Sequence, residues 1–160
     1  MMVDVPRSPF TRQQGFTLTE LLIVLGILSV VALIGGSWLS TQIPHYHLNG
    51  AVRQVRADLL AARMQAVSQG NEFRVLFSEA HQYDILDDDN NNGKADVGEF
   101  LESRSIQDDY PGVTIRSNRN PIFHPRGTAS SLGTVTIANQ AGEMLVTVSI
   151  TGQVKVKPPQ

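Results

Sequence analysis

One stretch constrains this chain more than any other: FTLTELLIVLGILSVVALIGGSWL, the 24 residues Phe16–Leu39, which carry a single charge at Glu20. As a helix rising 1.5 Å per residue it would span about 36 Å, enough to cross a hydrocarbon core of about 30 Å with some tilt. Such a stretch has to be covered by lipid or by protein, so a chain that is polar and globular throughout is excluded. The residues before it are slightly basic, with Arg7 and Arg12 against Asp4. The positive-inside rule therefore puts the N-terminus in the cytoplasm and everything after the run on the far side of the membrane. A plain signal anchor would look like this. So would a secretory signal peptide, with Gly35 and Ser37 as the small residues at its cleavage site. Neither makes use of Glu20, although a carboxylate costs on the order of 2.5–3.5 kcal/mol at the centre of an inserted helix, less near the interface.

Beyond the run the pattern stays helical. Gly35-Gly36 weaken the helix by about 1 kcal/mol each relative to alanine, and Pro44 is expected to kink or break it near His45. The periodicity resumes after Asn49-Gly50: Val52, Val55, Leu59, Ala62 and Ala66 recur every three or four residues, with Arg53, Arg56, Asp58 and Arg63 mostly off that line. This is one narrow apolar stripe, suited to lying on a sheet. Gly70-Asn71 ends it. His45-Tyr46-His47 is not a metal motif, because ligands two apart point to different faces of a helix and no third lies nearby.

From Glu72 the period becomes two. Expected strands are Glu72–Phe77, Gln82–Leu86, Glu99–Ile106, Gly112–Arg116, Pro121–His124, Gly133–Ala138, Leu145–Ile150 and Gln153–Val156, the last two joined as a hairpin through Thr151-Gly152. The expected fold is therefore α+β: a long N-terminal α-helix packed on a small antiparallel β-rich domain. The segments are 1–15 ahead of the run, 16–39 the membrane or filament-core helix, 40–70 its amphipathic continuation and 71–160 the β-rich domain.

Charge is uneven although the net is only −2. Residues 87–99 hold five acids and one lysine. Within them Asp88–Glu99 matches the calcium-loop spacing D-x-[DN]-x-[DN]-G-x5-E. Asp88, Asn90 and Asn92 would give side-chain oxygens, Lys94 its backbone carbonyl, Asp96 a further oxygen, and Glu99 both carboxylate oxygens to Ca2+. The competing reading is a metal-free, Asx-rich hairpin turn. There is no cysteine, which removes disulfides, thiolate metal sites and cysteine nucleophiles. No nucleophile-elbow or phosphate-loop motif occurs. His81 and His124 have no paired nucleophile in sequence, and Ser130-Ser131 reads as a loop.

Gly15-Phe16-Thr17-Leu18-Thr19-Glu20 resembles the class III signal of type IV pilins and type II secretion pseudopilins: a short basic leader ending in Gly, then Phe, then an apolar helix with Glu four residues after the Phe. The resemblance implies cleavage between Gly15 and Phe16 by a prepilin peptidase, N-methylation of Phe16, and retention of the apolar run. Glu20 would then pair with the Phe16 amine of a neighbouring subunit and set the axial register. In an apolar medium such a carboxylate needs a partner. The order of helix and strands resembles the GspH/FimT family of minor pilins and pseudopilins. So do AARMQAVSQGNEFRVLF, IFHPRGTASSLGTVTIAN and VSITGQVKV. The implied function is a non-enzymatic structural subunit of a type IV pilus or type II secretion pseudopilus, helping initiate assembly or form the tip. Its implied partners are the prepilin peptidase, other major and minor pilins or pseudopilins, and the inner-membrane assembly platform.

Two other function classes compete. One is a DNA-binding minor pilin for DNA uptake, with Arg116, Arg119, Arg126, Lys155 and Lys157 as its cations. Relatives of that kind carry Gly-Arg-x-Arg near the C-terminus, whereas Gly152-Gln153-Val154-Lys155 stands here, and the acidic balance of the domain argues against phosphate contacts. The other is a membrane-anchored calcium-dependent binding protein outside filament systems, which leaves GFTLTE without a role.

Overall fold

A computed structural model describes residues 15–99 and 101–158, without the side chains of residues 34–39. The leader up to residue 14, the side chain of Ser37, and Phe100 of the expected third strand lie outside the described residues. The chain divides into two compact units between Leu39 and Ser40.

The first unit contains the start of α1, a helix assigned over Leu18–Gln69. Its described apolar side chains are solvent-exposed throughout, Leu18, Leu21, Leu22, Ile23, Leu25, Ile27, Leu28 and Leu33 each by more than half. A helix that is apolar on every face belongs in lipid or inside a protein core. Among the described residues no helix is long and apolar enough to cross a membrane, but the run continues into residues 34–39, whose side chains are not among them.

In the second unit α1 continues from Ser40 to Gln69. The assigned helix passes through both Gly35-Gly36 and Pro44, so the expected break near His45 does not occur. The Pro44 carbonyl accepts a hydrogen bond from Asn139 Nδ2 at 2.7 Å, which ties that turn to the β-domain. Gly50 does not interrupt the helix either. It is the place where the Tyr110 ring packs against the helix backbone: a Cβ there would stand 2.3 Å from Tyr110 Cε1.

Nine antiparallel strands form two sheets among the described residues. The first has the order β3-β2-β1-β5-β6 and the second β4-β7-β8-β9. They are β1 Glu72–Leu76, β2 Gln82–Asp88, β3 Leu101–Ser105, β4 Thr114–Ser117, β5 Ile122–Phe123, β6 Ala129–Ser130, β7 Thr134–Asn139, β8 Gly142–Val148 and β9 Val154–Lys157. Eight of these fall where period two puts them. The ninth, β6, is two residues long, too short for any period, and it takes in Ser130, which is in a strand and not in the expected loop. β8 starts at Gly142 instead of Leu145 because Gln140-Ala141 alone make the turn, with Asn139 paired to Gly142.

The stripe does what its spacing predicts. Val52, Val55, Leu59, Ala62 and Ala66, extended by Leu48 and Ala51, are buried in one core with Phe73, Val75, Tyr83, Ile85 and Phe123 of the first sheet. Ile115, Val135, Ile137, Val146, Val148 and Val154 of the second sheet complete that core. The alanines let the helix axis approach closely. A buried leucine such as Leu59 contributes about 1.5–3 kcal/mol. Arg63, off the stripe, donates from Nε to the Gly127 carbonyl at 2.8 Å and from Nη2 to the Thr151 carbonyl at 3.4 Å. It thus clasps the β5–β6 and β8–β9 turns, one from each sheet. Gly152 (φ +72°) fits beneath it, since a Cβ there would stand 2.2 Å from the Gly127 oxygen.

Gly50→Ala tests the packing. Helix propensity alone would add about 1 kcal/mol of stability, but overpacking against Tyr110 costs about 1–3 kcal/mol. We expect a lower Tm for the full chain in detergent, and recovery in the Gly50→Ala/Tyr110→Ala pair relative to Tyr110→Ala alone.

Candidate functional site

Three places carry the chemistry singled out in the sequence. The first is the start of α1. Thr17 caps the helix: its Oγ1 accepts from the Glu20 N–H at 3.2 Å, while Glu20 Oε2 accepts from the Thr17 N–H at 3.4 Å. This is a reciprocal capping box, for which T-x-x-E is the sequence pattern. Within the single chain Glu20 therefore has a partner, one peptide unit from Phe16, which is itself 85% exposed. Gly15 is exposed as well. The bond between Gly15 and Phe16 thus stands in an open segment ahead of the first helical turn.

The second place is the acidic loop between β2 and β3. Asp88 is fully buried, and its carboxylate accepts from Arg74 Nε across the sheet, from the Asn92 N–H at 3.0 Å and from the Gly93 N–H at 2.9 Å. The remaining oxygens are similarly engaged. Asn90 Oδ1 takes the Asn92 N–H at 3.0 Å, Asn92 Oδ1 takes the Lys94 N–H at 2.7 Å, and Glu99 Oε2 takes the Asp96 N–H at 3.0 Å. The Asn90 and Asn92 amides both donate to Asp96, and these bonds hold its carboxyl below the usual carboxylate range. Asp87, at the loop's entrance, is pushed up, by desolvation first and then by the neighbouring acids, against the hydrogen bond from Asn71. Asp88, Asn90, Asn92, Lys94, Asp96 and Glu99 do share one loop, as the spacing implies. As arranged, their side-chain oxygens are taken up by contacts within the protein. They face backbone N–H groups and a guanidinium, and no group of three or more acidic or histidine side chains converges as a metal site among the described residues. Arg74 supplies the positive charge instead, lying 3.3 Å from where a Gly93 side chain would begin.

Arg74 also belongs to a chain of polar contacts that sequence inspection did not reveal. Its Nη2 donates to Glu72 Oε2 at 3.2 Å. Glu72 Oε1 lies 2.7 Å from His124 Nδ1, and His124 Nε2 lies 2.8 Å from Ser130 Oγ. Serine, histidine and carboxylate thus stand in relay order. The signal that could have found them is strand register: the β1–β5 pairing sets His124 opposite Glu72, and the β5–β6 pairing puts Ser130 on the diagonal. Because Glu72 is shared with Arg74, its negative charge is only partly available to the imidazole. The network ties the outer face of the first sheet to the loop.

The third place is the set of candidate nucleic-acid cations. Arg116, Lys155 and Lys157 share the outer face of the second sheet, but Arg116 stands on β4 and the lysines on β9, at opposite edges of its four strands. That separation is about 14 Å at the usual strand spacing. Arg119 and Arg126 sit in the loops after β4 and after β5. The structure does not gather the five into one patch.

A helix laid across antiparallel sheets and continuing from an exposed apolar stretch is the pilin-like arrangement. The profile described as type II transport protein GspH matches residues 51–152, and the chain belongs to that family. A prokaryotic N-terminal methylation motif matches residues 10–36. Among solved structures the chain is similar to the type IV minor pilin FimU of Pseudomonas aeruginosa, with 18% identity over 72% of this chain and 95% of that one and a TM-score of 0.57. It is also similar to the minor pseudopilin EpsH from the type 2 secretion system of Vibrio cholerae, with 14% identity over 71% and 98% and a TM-score of 0.55. At these identities the likeness is one of fold. No curated protein matches significantly.

The acidic loop yields a prediction. Asp88→Ala should lower stability by about 3 kcal/mol, the lower end for breaking a buried ion pair, because Arg74 keeps Glu72. With Arg74 already seated, millimolar Ca2+ should leave the Tm of the wild-type chain unchanged. A calcium-dependent rise that Glu99→Gln abolishes would show instead that the loop holds the ion.

Proposed function

We propose that this member of the GspH family is a minor pilin or pseudopilin. On this reading it is made with residues 1–15 as a leader, cleaved between Gly15 and Phe16 by a prepilin peptidase, and N-methylated on Phe16. Until assembly it is held in the inner membrane by residues 16–39, with its N-terminus cytoplasmic and its β-domain periplasmic. It then enters a type IV pilus or a type II secretion pseudopilus as a low-copy subunit that helps initiate assembly or form the tip. Its role is structural, and its partners are the assembly platform and other pilins or pseudopilins.

The observation that carries this reading is the exposed apolar helix starting three residues after Gly15, within the span matched by the methylation motif. Lipid covers such a helix before assembly and neighbouring helices cover it afterwards. Glu20 fits both states. The capping box satisfies its carboxylate in the isolated subunit, and in a filament the Phe16 amine of a neighbour offers a stronger, charged partner.

Intact-mass and N-terminal peptide analysis of protein from native membranes should find a chain starting at N-methylated Phe16. One starting at Met1, or after Ser37, would overturn the reading. Glu20→Ala should leave the β-domain folded and cleavage intact but reduce incorporation into filaments, measured as the ratio of filament-bound to membrane-bound protein.

A further inference from the structure

We propose that the open edge of β9, with the groove between it and α1, accepts an acidic, extended segment of a neighbouring protein subunit as an added strand. β9 ends the order β4-β7-β8-β9 and pairs only with β8. The Ser149 N–H bonds to the Gln153 carbonyl at 3.0 Å. By the alternation of an antiparallel ladder, the N–H and C=O groups of Val154 and Val156 therefore face away from β8. Among the described residues no hydrogen bond between the backbone of another element and those groups is found. They are available to a strand.

The edge is also shaped for one. A groove of about 460 Å³ runs along Val154–Lys157 with Arg56 of the helix as its other wall. A second, again about 460 Å³, shares Arg56 and Val156 and continues beside the helix over Val52 and Met144 to Gln42. Side chains of an added strand would alternate between this partly apolar floor and the outer face of the sheet, where Lys155 and Lys157 stand exposed.

Charge selects the occupant. Arg53, Arg56, Lys155 and Lys157 surround the groove, and none of them makes an ion pair among the described residues. The nearest acid in register, Glu143, lies past the end of the β8–β9 pairing. Lysines on an edge strand ordinarily repel further strands. The same repulsion turns into selectivity when the incoming strand is acidic, since a neutral or basic one leaves the cations uncompensated. A nucleic acid would use the cations but neither the valine-lined floor nor the backbone edge, so a protein strand is the better fit. The filament reading enters only as the source of the strand. Peptide binding and filament incorporation are measured separately, so either can fail without the other.

The test is a titration of the 15N-labelled full chain in neutral detergent micelles at low salt. The probes are acetyl-Glu-Val-Glu-Val-Glu-amide, its lysine counterpart, and single-stranded oligothymidylate. The acidic peptide should shift the amide signals of Val154 and Val156 and slow their hydrogen exchange. Lys155→Glu/Lys157→Glu, which alters only exposed side chains, should weaken binding about tenfold or more, with signals elsewhere unchanged. Arg56→Glu should act in the same direction. The proposal is overturned if the lysine peptide binds equally well, if the acidic peptide causes no shift or shifts residues away from β9 and the groove, or if oligothymidylate alone binds there. It is also overturned if the charge reversals leave peptide affinity unchanged.

Discussion

The β-domain depends on the apolar stripe of α1 from Leu48 to Ala66. Neither sheet has a second layer of its own, and a two-layer core forms only because both sheets bury their inner faces against that stripe. The small residues along it fix the closeness of the contact. Ala51, Ala62 and Ala66 let strands lie near the helix axis, and Gly50 admits the Tyr110 ring. Polar groups then fix the orientation. Arg63 holds one turn from each sheet, Asn139 holds the helix at Pro44, and the Tyr83 hydroxyl donates to Asp58 from inside the core. Burial and that hydrogen bond push the Tyr83 phenol up, so it stays neutral.

The acidic loop shows how backbone N–H groups and a guanidinium can hold like charges together in one turn. Its five acids would repel one another in an open turn, yet the backbone N–H groups of Asn92, Gly93, Lys94 and Asp96 are directed at side-chain oxygens. A cation-binding spacing and a self-capping turn demand the same short polar residues and the same glycine, because both need oxygens pointing inward from a tight backbone. The spacing alone does not separate them. Arg74, which contacts Asp88, lies on another strand and reaches the loop only through the β1–β2 register, so the spacing could not announce it.

The same division explains what could be read in the sequence. Features set by neighbours a few residues apart were legible: the apolar run, the stripe, eight of nine strands and the hairpin around Thr151-Gly152. The T-x-x-E capping box is equally local, but a lone carboxylate at the head of a uniformly apolar run points just as well to an intermolecular partner, so its role within the chain is not distinguished by sequence. Pro44 and Gly50 were misleading because a proline or glycine in a helix is costly on its own, and here tertiary contacts at Asn139 and Tyr110 hold those turns. The Glu72–His124–Ser130 contacts were not legible at all. They depend on how β1, β5 and β6 align, and the two-residue strand β6 has no period to announce it.

Charge segregates by sheet, which the near-neutral total conceals. The acids gather in the loop at the β2–β3 end of the first sheet, while unpaired cations line the β9 edge of the second. Surface charges such as these act over a Debye length of about 8 Å at physiological ionic strength, so they are felt only by a neighbour already in near contact. A uniformly apolar helix gives adhesion but little direction, because one leucine-rich face packs much like another. On the proposed filament reading, adhesion and most of the orientation of a subunit would therefore come from different parts of the chain. On that reading the apolar run would supply most of the association energy, with Glu20 as its one directional group. The oppositely charged regions of the β-domain supply little energy and can discriminate among neighbours by sign.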